Sequence, residues 1–143
     1  MCGEGGCGVR IFKTKAFARF ARRENVDNAA LCRAIRNAER GLIDADLGGG
    51  VIKQRIARPG KGKSGGFRTM VVYKSGTRAV FVHGFAKSDR ANIREDELTA
   101  LKALAVEMLG YDAKALAKAV ASGTLIEVQC DEREEDAEEQ TVS

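Results

Sequence analysis

The chain has no tryptophan, one proline, one histidine and only 6% aromatic residues. It has no apolar run of the ~20 residues that a membrane-spanning helix needs, and 31% of its residues are charged. No basic segment followed by a short apolar stretch marks a secretory signal. A membrane span is therefore excluded, and a soluble cytoplasmic protein is expected. The four cysteines, Cys2, Cys7, Cys32 and Cys130, form no C-x-x-C pair, and His83 is the single imidazole. A zinc site needs four ligands at workable spacing. No metal and no cofactor are expected, and the thiols read as four free ones in a reducing compartment.

What is present suffices for one domain of ordinary size. A chain of 143 residues with 44% hydrophobic composition can bury roughly 68–70% of its unfolded surface. The net charge of +4 conceals an asymmetry: residues 1–94 hold 20 Lys/Arg against 7 Asp/Glu, and residues 95–143 hold 4 against 13. A basic body with an acidic end points to a polyanionic partner for the body.

Glycine-rich residues 1–8 read as a disordered leader, 9–130 as one domain, and 131–143 as a disordered acidic tail. Val9–Phe12 reads as a strand. Thr14 can cap a helix to Glu24 carrying Phe17, Phe20 and Ala21 on one stripe; Asp27 or Asn28 can cap a second, with Leu31, Ile35 and Ala38 at helical spacing before Gly41. Val51–Ala57 alternates, with Lys53 and Arg55 on one face and Ile52 and Ile56 on the other. Phe67–Lys74 and Arg78–Lys87 are strand-like, and Ser75-Gly76 between them reads as a two-residue hairpin turn. That turn predicts Val72 opposite Ala79, Met70 opposite Phe81 and Arg68 opposite His83. Glu95–Leu109 reads as an amphipathic helix with acids in its first turn. A short alanine-rich helix follows Asp112, and Leu125–Gln129 reads as an edge strand.

Two segments invite a chemical reading. Ala57-Arg58-Pro59-Gly60-Lys61-Gly62-Lys63-Ser64 matches a relaxed phosphate-loop pattern. Such a loop works by opening into a helix whose amides cradle phosphate. Here it opens into strand-like Phe67–Val72, so nucleotide triphosphate binding is rejected. The segment is read instead as a basic hairpin loop, with Arg58, Lys61 and Lys63 for phosphate-backbone contact. The second is the set Lys53, Arg55, Arg68, His83 and Lys87, drawn from three strands towards one end of one sheet face. Like charges repel, so clustering them stabilises nothing unless an anion comes between them. Phosphoryl chemistry needs fixed cationic donors and a group that titrates near neutrality. Phe85 could stack a base. A basic face that binds RNA or protein without turnover is the plainer reading of the same residues.

With these residues in view, the chain resembles the RelE/ParE superfamily of bacterial toxin–antitoxin toxins, most closely its HigB-like branch. The segments that carry the resemblance are Val9-Arg10-Ile11-Phe12-Lys13-Thr14-Lys15, Gly50-Val51-Ile52-Lys53-Gln54-Arg55-Ile56-Ala57, Gly65-Gly66-Phe67-Arg68-Thr69 and Val80-Phe81-Val82-His83-Gly84-Phe85-Ala86-Lys87-Ser88. It implies an α+β, RelE-like fold: a small antiparallel or mixed sheet with two N-terminal helices and a C-terminal helix packed on it. It also implies a ribosome-dependent endoribonuclease that cuts messenger RNA without a metal, through attack of the 2′-hydroxyl on the adjacent phosphate. Lys53 and Arg55 match the family's basic pair, candidates for base and phosphate stabiliser, and Arg68 the arginine that stabilises transition-state charge. Ser88 and Arg94 stand near the places of a late arginine and a tyrosine, so His83, Phe85, Lys87 and Arg90 would take over those tasks. The implied partners are the ribosome, messenger RNA and a small helix-turn-helix antitoxin covering the basic cleft. Two alternatives stay open: a non-catalytic ParE-like toxin that inhibits DNA gyrase by protein–protein contact, and a plain RNA-binding protein.

Overall fold

The computed structural model describes residues 9–58, 62–86 and 94–130. The expected leader and acidic tail lie outside these residues, as do Lys61, Lys87, Ser88 and Arg90. In chain order the elements are β1 (Arg10–Thr14), α1 (Lys15–Glu24), α2 (Asn28–Glu39), β2 (Ala45–Gly48), β3 (Val51–Arg58), β4 (Gly62–Lys74), β5 (Arg78–Ala86), α3 (Glu95–Leu109), α4 (Ala113–Ala121) and β6 (Leu125–Glu127). The α+β class follows the sequence reading. The six strands form one mixed sheet in the order β2-β3-β4-β5-β1-β6, with β1 parallel to β5 and the other pairs antiparallel.

The helix starts obey their caps. Thr14 Oγ1 accepts from the Phe17 amide at 3.2 Å, Asp27 Oδ1 from Ala30 at 3.0 Å and Asp112 Oδ1 from Ala115 at 2.8 Å; each such cap stabilises by about 1 kcal/mol. α1 and α2 lay Phe17, Phe20, Leu31 and Ile35 on one sheet face, against Ile11, Ile52, Ile56, Phe67, Val71 and Phe81. α3 and α4 cover the other face, where Phe12, Val51, Met70, Val72, Val80 and Val82 meet Ala105, Met108 and Leu116. Strand side chains alternate between the two sheet faces, so each central strand contributes alternate residues to both helical layers.

Three expectations need correction. First, β2 is a strand the sequence does not announce, because four residues carry too little alternation to register. Second, the β4–β5 hairpin loop has three residues. Lys74 pairs with Arg78, Thr77 donates its amide to the Lys74 carbonyl at 3.0 Å, and Gly76 takes φ +74°, a conformation glycine adopts at no steric cost. Tyr73 therefore faces Ala79, and Phe81 faces Val71 rather than Met70. A one-residue slip moves a side chain to the opposite face, and the Phe81 ring accordingly sits 5.2 Å from that of Phe17 on α1. Third, Cys32 and Cys130 form a disulfide, so these two are not free thiols. They lie 98 residues apart, and only the return of the chain past β6, where the Val128 amide reaches the Ile11 carbonyl at 2.8 Å, brings Cys130 to α2.

The hairpin loop is tied to the end of α2. Glu39 accepts hydrogen bonds from the Tyr73 hydroxyl and from the Gly76 amide at 3.0 and 3.1 Å. Burial first, and then the bond to Glu39, push the Tyr73 hydroxyl up to about 12. The folded protein therefore keeps this proton where the unfolded chain, near pH 10, would lose it, and stability must fall as pH rises from 10 to 12. Chemical unfolding across that range is expected to show a steeper loss in the native protein than in Tyr73→Phe. Parallel pH profiles would refute the coupling.

Gly84, opposite Thr69 on β5, is fixed by contact. A Cβ there would stand 2.6 Å from the ring of Phe20, which is itself locked edge-on against Phe67. Gly84→Ala is expected to lower the unfolding free energy by about 1–3 kcal/mol, as overpacked cores do. A denaturant midpoint equal to the parent's would show that Phe20 can yield.

Candidate functional site: a cationic sheet end

Register brings the predicted side chains together. On β3 and β4, Arg55 lies directly opposite Arg68 and Lys53 opposite Met70. Across to β5, Arg68 faces Phe85 and Met70 faces His83. The last two pairings depend on a β-bulge between Val71 and Met70, where β5 carries an extra residue, Val82. Without it Met70 would face Val82 and Arg68 would face Gly84. The bulge returns His83 and Phe85 to the face of Arg68 and Met70. Lys53, Arg55, Arg68 and His83 thus share one face, the one on which α3 packs.

α3 covers the apolar end of this face. Its C-terminal part approaches the start of β3, with Leu109 3.0 Å from a Cβ built at Gly50. Towards its N-terminus, Glu97, Ala100 and Leu101 line a cavity of about 200 Å³ with His83. Arg55 is exposed, and Lys53, Arg68 and His83 are half-buried. Phe85 differs from its expected role as a stacking platform. It is only 6% exposed and packed in the core, its ring 5.7 Å from that of His83. Its position opposite Arg68 comes from strand pairing, and its apolar ring goes where the core is.

Two arginines directly opposite one another on neighbouring strands destabilise a sheet unless a counter-charge is near. Asp44 supplies it. Its Oδ2 stands 3.4 Å from Arg68 Nε, with the Arg68 side chain 13% exposed and that of Asp44 32% exposed. A carboxylate on one edge of a guanidinium fixes the plane of the fork while leaving its other donors to act elsewhere.

Asp44 is held in turn by Gln54, a buried amide between the two site cations of β3. Gln54 Oε1 accepts from the Asp44 amide at 3.0 Å. Its Nε2 donates to the Ala34 carbonyl on α2 at 2.8 Å and to the Leu42 carbonyl at 3.0 Å. Sequence reasoning missed both residues. The signal for Gln54 was available: it occupies an inward position between Ile52 and Ile56, and a polar residue in an apolar alternation must find partners. Nothing in the sequence marks Asp44.

Of the other predicted residues, Arg58 pairs with Gly62 across the loop, and Lys63 follows in β4. The phosphate-loop pattern therefore opens into a strand, as argued from its sequence. Arg94 caps α3. Its amide donates to Glu97 Oε1 at 3.0 Å and its guanidinium pairs with Asp96 at 3.3 Å, which ties it to the helix terminus. Among the described residues no three or more His, Cys, Asp or Glu side chains gather as a metal site would require, and no helix is long and apolar enough to cross a membrane.

This arrangement offers a fixed guanidinium, an exposed second cation, a primary amine and an imidazole around one sheet end, a set suited to an oxyanion with protons to exchange. No curated protein matches the chain. A family model described as the RelE toxin of the RelE / RelB toxin–antitoxin system matches residues 9–128, a span that takes in every strand and helix described above. The fold and that match agree, and the chain belongs to the family of RelE toxins, the toxin components of RelE/RelB toxin–antitoxin systems.

Proposed function

We propose that this toxin, within the superfamily a HigB-like one, is a ribosome-dependent endoribonuclease that cleaves messenger RNA by 2′-hydroxyl attack, with no metal in the step. The observation that carries the reading is the strand register that aligns Arg55, Arg68 and the Lys53–Met70–His83 row. In the reaction a base removes the 2′-hydroxyl proton, the 2′-oxygen forms its bond to phosphorus, and the 5′-oxygen of the next nucleotide leaves with a proton from an acid. The products are a 2′,3′-cyclic phosphate and a 5′-hydroxyl. Lys53 and His83 are the groups here that can exchange protons, with Lys87 a further candidate. Arg68, oriented by Asp44, and Arg55 answer the charge that builds on the phosphoryl oxygens.

Arg58, Lys61, Lys63 and Arg90 are the further candidates for contact with backbone phosphates. The partner that neutralises the toxin is an antitoxin with a helix-turn-helix, covering the same cationic end. The toxin acts in the cytoplasm, where ribosome and message are.

Arg68→Ala is expected to fold, since the side chain serves a polar edge, and to lose about 10²–10³-fold in cleavage rate, as removal of one transition-state donor does. Growth arrest on induction, with 5′-end mapping of translated messages, measures it. Full toxicity in a folded Arg68→Ala protein would take Arg68 out of the mechanism, and double-strand DNA breaks in place of message cleavage would favour the gyrase-directed alternative.

Binding of a single-stranded RNA should weaken as salt rises, with a log–log slope of roughly −0.7 for each phosphate contacted. A flat salt response would contradict a cationic RNA site.

A further inference from the structure

We infer that the bridge between Cys32 and Cys130 is a thiol–disulfide exchange site for a small cytoplasmic thiol of the glutathione class. The thiol attacks at Cys130, and opening the bridge releases the C-terminal segment from α2. The inference goes beyond the nuclease reading and takes from it only the cytoplasmic setting. There glutathione and thioredoxin keep thiols reduced, and the disulfides that do form are mostly transient, catalytic or redox-sensing.

The two halves of the bridge differ. Cys32 is 2% exposed, buried in the layer that also holds Val128, whereas Cys130 is exposed. Exchange needs a thiolate to approach one sulfur in line with the S–S bond, so that the other sulfur leaves, and access decides which sulfur is attacked. The approach to Cys130 comes from solvent; the approach to Cys32 would come through the core. In the first step R–S⁻ bonds to Cys130 Sγ, the Cys32–Cys130 bond breaks, and its electron pair leaves on Cys32 Sγ, which takes a proton. A second thiolate attacks the R sulfur of that mixed disulfide, giving R–S–S–R and the Cys130 thiolate. Two small thiols are oxidised for each bridge reduced, and R–S–S–R runs the same steps backwards. The reduced Cys32 has an acceptor at hand, since its sulfur lies 3.9 Å from the Gln129 carbonyl oxygen. A weak S–H hydrogen bond then stands where a covalent bond was, and closure needs no rearrangement of α2.

The other fastenings of this segment among the described residues are slight. β6 has three residues, lies at the edge of the sheet and pairs with β1. Its ion pair, Glu127 with Arg10 at 2.9 Å, is exposed, also runs to β1, and contributes little. Past β6, the Val128 amide bonds to the Ile11 carbonyl, and Val128 is the last buried apolar anchor before Cys130. α2 is secured by its own buried Leu31, Ala34, Ile35 and Ala38, so it keeps its place when the bridge opens. The oxidised bridge thus pins to α2 the point from which acidic residues 131–143 depart, and the reduced form leaves that point to β6 and Val128.

The test places the full chain, with Cys2→Ser and Cys7→Ser to leave one cysteine pair, in mixtures of reduced and oxidised glutathione without denaturant. Acid quenching, alkylation and peptide mass mapping then read each cysteine. The bridge is expected to open in millimolar reduced glutathione and to close as the oxidised form is added. Glutathione should be caught on Cys130 about tenfold more often than on Cys32, as their access dictates. In Cys32→Ser the adduct on Cys130 should accumulate. Hydrogen exchange of the Val128 amide should quicken about tenfold on reduction while the α2 core amides hold, as a local opening does. Cys130→Ser should match the reduced form in every buffer. A bridge that opens only in denaturant, glutathione caught mainly on Cys32, or equal Val128 exchange in the two forms overturns the inference. Message cleavage by a protein whose bridge never exchanges removes this inference alone, and exchange in a protein that cuts no message removes the nuclease alone.

Discussion

The pairing register of β3, β4 and β5 is the constraint from which the site follows. Strand side chains alternate with a period of two, so each one-residue shift exchanges the core face for the opposite one. Two local features set the register here. A three-residue loop with Gly76 in a left-handed conformation closes the hairpin, and a bulge at Val82 adds one residue to β5 further along. Between the two features Phe81 points to the α1–α2 layer. Beyond the bulge His83 and Phe85 return to the α3 side. Odd-numbered positions of β5 thus face α1 and α2 before the bulge and α3 after it, and the change occurs within one hairpin.

The cost of gathering cations on that end is met by a short chain of polar contacts that begins in the core. Gln54 is buried and bonded to α2, to the Leu42 carbonyl and to the Asp44 amide, and its own carbonyl accepts from the buried Thr69 hydroxyl at 2.9 Å. A fully satisfied buried amide adds rigidity that a half-satisfied one would forfeit. Through it the packing of α2 on the sheet fixes the chain at Asp44, and Asp44 fixes Arg68. Orientation of Arg68 is therefore inherited from the hydrophobic layer beneath it.

The two helical layers divide the work. α1 and α2 bury the aromatic cluster of Phe17, Phe20, Phe67 and Phe81. α3 shields only part of the opposite face. Arg78 binds its C-terminal turn, donating to the Met108 carbonyl at 2.7 Å and to the Tyr111 carbonyl at 3.2 Å, which answers the partial negative charge of a helix end. At the other end of α3 the acids of the first turn and Arg94 form their own cap, with Glu97 beside His83. The molecule joins a conventional core to an open cationic margin.

Much of this was written in local pattern. Caps at Thr14, Asp27 and Asp112, the bounds of α1 and α3, and the outward placement of Lys53 and Arg55 all follow from the period of apolar residues and from side chains that satisfy helix termini, both properties of neighbours in the chain. A two-residue turn places His83 on the face of Arg68; the three-residue loop shifts the register by one and the bulge by a further one, and the two shifts restore the same parity. What only the folded chain decided depends on contacts between distant residues. The four-residue β2 gains its identity by pairing with β3, Cys130 meets Cys32 across 98 residues, Phe85 is taken into the core, and Asp44 becomes the partner of Arg68. Sequence determines these as well, but through packing that no local window contains.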